Sequence, residues 1–508
     1  DLTNVDASVA AAVAAGSSTP GDTYTFTTGT DKFGGTVNDD TYNGVLVSEG
    51  EAGTTVAAGD AVLASDGTDT LALAISGAAD GAAYTLTAVD AEVEKFLVSN
   101  FDTHANTHTI STSLMGSLTT VGNTASSDTG DTVFSGMATM VNGVMTNGSG
   151  DLTLTFDGSQ SVAGTSDALT LTVGAQTAGA FSANGIEGIT IDSTLSTNAI
   201  TVASNALKTL TVTGSAALSV GTLNFAANGT KAAPGAVVDA SAATGNVTLT
   251  TTANEVFDIK GGAGNDTFTL GSAMTANDIV DGGDGTDTVV NAAQDTVTMT
   301  TLRMTDVENF VTEATANADL TVVATGTTVS NIQVTENNNT GKDISVTGLG
   351  TNTSVAIANN VDGQAIGTVT ITLADAAGTA DAINVAVNGT SGQGAETVAG
   401  VTLANVETVN LSSGSVGATA MLAATDSNVI TTLNVGGSAS TLNIDGGANL
   451  TIGTLSASKL TTVDGTNATG NLGITGAAVD YAALKGGSGN DTFAMGTTLT
   501  AADAIDGG

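Results

Sequence analysis

Two distant stretches of this chain are nearly the same. Gly261–Phe268 reads GGAGNDTF and Gly486–Phe493 reads GGSGNDTF. Each is followed by a spacer and then by IVDGG, ending at Gly283, or AIDGG, ending at Gly508, so the offset between the copies is kept. A chain that repeats over so long a period builds the same local structure more than once, and its fold has to accept tandem copies. A more degenerate copy, TGTDKFGGTVNDD, spans Thr28–Asp40. Downstream of it Ser65–Leu71 (SDGTDTL) corresponds to Gly283–Val289 (GDGTDTV), at a slightly shorter offset.

The stretches between these glycine-rich turn blocks repeat as well. GTSDALTLTV from Gly164 matches GTADAINVAV from Gly378, and VEKF from Val93 matches VENF from Val307 at the same offset. IEGITI from Ile186 matches VETVNL from Val406, which places Glu187 and Glu407 in register. ATGN ends at Asn246 and again at Asn471. The expected organisation is an N-terminal segment (1–26), a first module with a degenerate turn block (27–258), a second module (259–483) and the start of a third (484–508).

Within a module Thr or Ser alternates with Val, Leu or Ile, as in Leu152–Phe156 (LTLTF) and Val369–Leu373 (VTITL). Period two over four to eight residues predicts strands, and Gly, Asn and Asp punctuate them as turn residues do. With 65 Gly, no Trp and 3% aromatic residues, the core must be narrow and aliphatic. The expected fold is all-β: a parallel β-solenoid of tandem, β-roll-like modules with GGxGxD turns. A string of β-sandwich modules is the alternative. Ala7–Ala15 is the one short helix candidate.

The 50 acidic and 9 basic residues give a formal net charge of −41. Nothing here can neutralise a phosphate backbone, so nucleic acid is excluded as a partner, and an anionic membrane is disfavoured for the same reason. Such a chain repels itself unless cations screen or bind it. Disorder throughout is argued against by 41% hydrophobic and only 12% charged residues. Without Cys there is neither a disulfide nor a zinc–thiolate site. No apolar run reaches transmembrane length. Asp1 opens an acidic segment without a signal-peptide pattern, and the chain reads as part of a longer polypeptide.

Each full turn block fits G-G-x-G-x-D-x-U-x, where U is a large apolar residue, and so resembles the nonapeptide of calcium-binding parallel β-rolls in RTX proteins. Calcium takes six to eight oxygen ligands in a flexible shell. Glycines at φ > 0 are expected to turn carbonyls toward it while Asp adds charge. The expected ligands in the second block are the side chains of Asp266, Asp284 and Asp287 with the carbonyls of Gly262, Gly264 and Gly285. In the last block they are Asp491 and the carbonyls of Gly487 and Gly489. In the first they are Asp39, Asp40, Asp66 and Asp69. The turns at Gly261 and Gly282 start further apart than two successive nonapeptides would place them, so one or two ions per block are expected rather than a long ladder. Asp167 and Asp381 could also bind calcium, but are read first as turn caps.

Catalytic patterns are missing. The two histidines, His104 and His108, sit in FDTHANTHTI and are expected in a solvated loop. No Cys nucleophile, G-x-S-x-G elbow or Walker A loop is present, and carbohydrate-cleaving solenoids carry aromatic and basic cleft residues that this chain lacks. An enzyme is not expected.

Taken together, TTGTDKFGGTVNDDTY from Thr27, GGDGTDTVV from Gly282, VENF from Val307, GTADAINVAV from Gly378 and NVETVNL from Asn405 resemble the RTX-type surface-layer (S-layer) proteins of Gram-negative bacteria, the Caulobacter type among them. The resemblance runs over most of the chain through the tandem modules. It implies type I secretion, folding on external calcium and self-assembly into a two-dimensional lattice at the cell surface. A lipopolysaccharide-binding anchor and the export signal would lie outside this stretch. A large RTX adhesin or other surface filament is the alternative.

Overall fold

The computed structural model describes residues 21–508 except 48–52, 58, 77–84, 87–89, 103–105, 158–161, 163, 227–234, 253–255, 317, 337–340, 360–364, 376, 391–394, 417–426, 477–478 and 497–498. Ala7–Ala15 and His104 fall outside the described residues. The chain forms two compact units, Asp1–Asp266 and Thr267–Gly508.

Both units are β-solenoids. Among the described residues every strand pairing is parallel, and each strand pairs with one a coil away rather than with its chain neighbour. In the first unit Ala168–Gly174 pairs with Gly188–Thr194, which pairs with Thr209–Gly214, while the intervening strands Ala180–Ala183 and Asn198–Ala203 pair in a second sheet. The chain thus winds through both sheets once per coil. β-Sandwich modules, which need antiparallel sheets, are excluded. The only helix among the described residues is one 3₁₀ turn, Met299–Thr301, and none is long and apolar enough to cross a membrane.

Period two explains the layering. In Gly188–Thr194 the buried positions alternate with half-buried ones, so Ile189 and Ile191 point inward and Thr190 and Asp192 outward. Stacking in register makes columns: Leu169, Ile189, Leu210, Val238 and Ile259 follow one another up the first unit. None is more than 4% exposed. Phe268, Val289, Phe310, Ile332 and Val355 do the same in the second. Each such side chain contributes about 1.5–3 kcal/mol by leaving water, and β-branched Thr suits the outer face of the pleat.

The column spacing also explains the distance between the turns of a block. Phe268 pairs with Val289 and Val463 with Leu484, each the same step along the chain as Gly261 to Gly282, and Ile189 pairs with Leu210 at that step too. This step is therefore the ordinary short coil of the solenoid, not a departure peculiar to the turn block. Longer steps, such as Val355 to Val385, place their extra residues between strands.

The long repeat holds at the level of atoms. Asp239 Oδ1 accepts the Ser241 N–H (3.1 Å) and hydroxyl (2.6 Å), and Asp464 Oδ1 accepts the same groups of Thr466 at the same distances. Both sit at a register shift in their sheet, between Thr211 and Thr213 and between Asn443 and Asp445.

Candidate cation sites

The blocks contain two kinds of turn. In the first kind an Asp closes its own turn and clamps the coil before it. Asp266 Oδ2 accepts the Gly262 N–H (2.8 Å) and Oδ1 the Val247 N–H (2.7 Å). Asp491 accepts from Gly487 (2.7 Å) and Leu472 (2.8 Å). Asp40 accepts from Thr36 and Asp22, both at 2.6 Å. The degenerate first block therefore keeps this geometry with Thr36 in the place of a glycine.

The glycines of these turns have a different cause from the one expected. Gly262, Gly264, Gly487 and Gly489 do not adopt positive φ; they are pressed against the preceding coil. A Cβ on Gly262 would lie 2.3 Å from the Ala243 carbonyl oxygen, and one on Gly487 2.1 Å from that of Ala468. Gly264 and Gly489 would meet Asn246 N and Gly470 O, each at 2.6 Å. Close stacking of coils, not left-handed backbone, is what excludes a side chain there.

In the second kind of turn the φ argument holds. Ser65 and Gly283 adopt φ of 71° and 89°, and Gly67 and Gly285 adopt 130° and 129°. The Ser65–Asp69 and Gly283–Asp287 turns are thus alike in backbone, although Ser65 replaces a glycine. Asp69 is fully buried; its Oδ1 accepts the Asp40 N–H at 2.6 Å, and its Oδ2 has no hydrogen-bond partner. Asp39 is exposed and accepts the Thr68 N–H at 2.7 Å. Asp66 and Asp284 are exposed at the turn tips. The second block's expected ligands are divided between the units, Gly262, Gly264 and Asp266 in one, Asp284, Gly285 and Asp287 in the other.

Four glutamates that sequence reasoning gave no role join these turns. Glu94, Glu187, Glu308 and Glu407 each follow a buried Val or Ile and precede a strand. Each Oε2 accepts the backbone N–H of an Asp one coil earlier: Asp69 (2.8 Å), Asp167 (2.9 Å), Asp287 (2.8 Å) and Asp381 (3.0 Å). The repeated VE and IE dipeptides were the signal, visible as a pattern but without a partner until the coils stack. Asp167 does cap its turn, accepting the Gly164 N–H at 3.1 Å. Asp381 does not repeat that bond; its Oδ2 is buried without a partner.

Among the described residues no lysine or arginine pairs with the acidic groups of the first block. Burial pushes the Asp69 carboxyl up from its ordinary value despite the Asp40 N–H, and the carboxylates of Glu94, Asp40 and Asp39 push it further. Burial would raise Asp40 too, but the N–H groups of Thr36 and Asp22 and the Thr36 hydroxyl hold it low. Burial, outweighing its two N–H bonds, raises Asp266. The Tyr42 hydroxyl is raised by burial and by Asp40 and Asp69, and it also lacks a partner. A Cβ on Gly35 would lie 2.2 Å from Ala64 O, 2.5 Å from Tyr42 Oη and 2.7 Å from Asp40 Oδ2, so three oxygens converge beside that glycine.

Oxygen donors of this kind, with the unpartnered Asp69 Oδ2 elsewhere in the same block, are those a hard cation such as calcium takes. Among the described residues no three His, Cys, Asp or Glu side chains converge as a metal cluster. Carbonyls and water would therefore complete any oxygen shell here, as calcium accepts.

His108 corrects an expectation. It is 1% exposed on the strand Asn106–Ser111, with Nε2 2.9 Å from Asp102 Oδ2. Period two puts it on the inward face with Ile110, and a buried carboxylate meets it there.

Compared with known proteins, the chain matches no protein-family model and no curated protein.

Proposed function

We propose that this chain is a structural surface-layer protein that folds on calcium and self-assembles into a two-dimensional lattice on a bacterial surface after type I secretion. The observation that carries the calcium half is Asp69 Oδ2, fully buried and unbonded, on a carboxyl that the charges of Glu94, Asp40 and Asp39 push up. Burying such a charge is costly unless a cation meets it. Among the described residues neither Asp69 nor Glu94 pairs with a lysine or arginine. An ion that binds only the folded coils adds about 2.7 kcal/mol when its concentration is a hundred times its Kd. A net charge of −41 opposes compaction until cations arrive. The chain would stay unfolded where calcium is scarce and fold where it is abundant.

The lattice half is supported by the resemblance in turn blocks and module bodies and by a stackable fold of near-repeated coils. The test is a calcium titration of chelator-treated protein, followed by circular dichroism, light scattering and electron microscopy. Strand signal and ordered sheets should rise together. Folding without assembly would favour an adhesin or filament, and no response to calcium would overturn the reading.

A further inference from the structure

The four Asp–Glu couples differ in one respect that bears on ligand binding. In each, the Glu carbonyl accepts the backbone N–H groups of two residues on the following coil. The first of those two is Thr119 for Glu94, Lys208 for Glu187, Ser330 for Glu308 and Ser440 for Glu407. These four positions are therefore structurally equivalent. Thr119, Ser330 and Ser440 use short hydroxyls that donate back to the Glu carbonyl at 3.1, 3.4 and 3.4 Å. Lys208 instead reaches back along the coils. Its Nζ donates to the Thr165 carbonyl at 3.3 Å and lies 3.8 Å from Glu187 Oε1.

One couple thus carries its own cation, held by a turn carbonyl and the Glu carboxylate. We propose that the Asp69–Glu94 and Asp381–Glu407 couples bind a divalent cation of calcium type at that same place, and that Lys208 is the covalent substitute for it at the third. Both couples have a buried Asp Oδ2 without a partner, and Asp69 itself is 0% exposed. At Asp167 the corresponding oxygen is satisfied by Gly164. So the couple with the lysine has no orphan atom, and two without it do. Among the described residues Lys208–Glu187 is also the one ion pair that any of these glutamates makes with a lysine or arginine. Two carboxylates, a turn carbonyl and water make an oxygen-only shell, which selects a hard ion over a soft one. Asp381–Glu407 belongs to no GGxGxD block, so the body of the module binds ions that the motif does not mark. The choice of calcium rests on the reading above.

The experiment counts calcium ions per chain after equilibrium dialysis of the folded chain, in the parent and in three variants. Ser440→Lys should lose one ion and Lys208→Ser should gain one, with unchanged circular dichroism. Asp266→Asn should lose an ion of its own turn block and leave both couples intact. Unchanged counts in Ser440→Lys and Lys208→Ser would overturn this proposal alone, provided Asp266→Asn still loses its ion. A parent that binds no calcium would overturn both readings. If Ser440→Lys does not fold, Lys208→Ser decides, since it only shortens an exposed side chain: a gain supports the proposal and no gain overturns it.

Discussion

Asp266 and Asp491, at equivalent places in the two full turn blocks, make the same two hydrogen bonds, each taking the N–H four residues before it and one N–H nineteen residues before it. Each Asp therefore fastens its own turn and the edge of the coil beneath. The role depends on a carboxylate with both oxygens engaged, which no apolar residue can copy.

Asp266→Ala leaves the Gly262 and Val247 N–H groups buried and unbonded, at about 1–3 kcal/mol. Ser488→Ala, at an exposed turn tip of the last block, should change stability by no more than about 0.5 kcal/mol. Urea midpoints in saturating calcium compare them. Equal losses would refute the distinction between buried clamp and exposed turn residue.

Gly487→Ala puts a methyl group 2.1 Å from the Ala468 carbonyl oxygen, a backbone atom that cannot rotate away. The expected loss is about 1–3 kcal/mol from overpacking. Gly285→Ala should lose about 1–2 kcal/mol for another reason, its φ of 129°. Asn should be no better than Ala at either position, because a φ of 129° lies outside the left-handed region near +57° that Asn tolerates and the Gly487 clash is with backbone. Thermal or urea unfolding of the four variants reads this directly.

Acid sensitivity follows from Asp464 and Asp239. The Thr466 hydroxyl and N–H, helped by Lys485, hold Asp464 below its ordinary value of 3.8. The Ser241 hydroxyl, then its N–H and Lys260, do the same for Asp239 against burial. A carboxyl with a lowered folded pKa contributes stability above its unfolded pKa and loses it as pH falls through the folded value. The double substitution Asp239→Asn with Asp464→Asn should therefore flatten the fall in unfolding midpoint from about pH 5 downward. A slope as steep as the parent's would remove these two groups from the account.

His108→Ala breaks a buried pair and leaves Asp102 without its ring partner. A loss of about 1–3 kcal/mol is expected from the hydrogen bond left unmade. A loss under about 1 kcal/mol, measured by denaturant titration, would place the histidine in solvent instead.

Much of the fold was legible in the chain itself. Alternation such as Leu152–Phe156 names the strands, and the paired turn blocks name the tandem architecture, because period two and repetition are local properties. The exposure of Thr190 beside buried Ile189 follows from that period alone. What could not be read was any partnership between coils. Glu407 is an exposed-looking polar residue in VETV until stacking brings it to the Asp381 N–H, 26 residues back. Lys208 is one of nine basic residues until its amine meets Glu187 and the Thr165 carbonyl. The glycines of GGxGND suggest backbone freedom, yet at Gly262 and Gly487 what excludes a side chain is the carbonyl of the coil beneath. The coil length is invisible for the same reason, since it is the distance at which side chains come into register, and register exists only between strands. Composition and period determined that this chain would be an acidic stack of short strands, while their parallel winding was decided by the pairing between coils. Which carboxylates are buried, which are paired and which lack a partner was decided by stacking, because hydrogen bonds and desolvation act between residues that only the wound chain brings within reach.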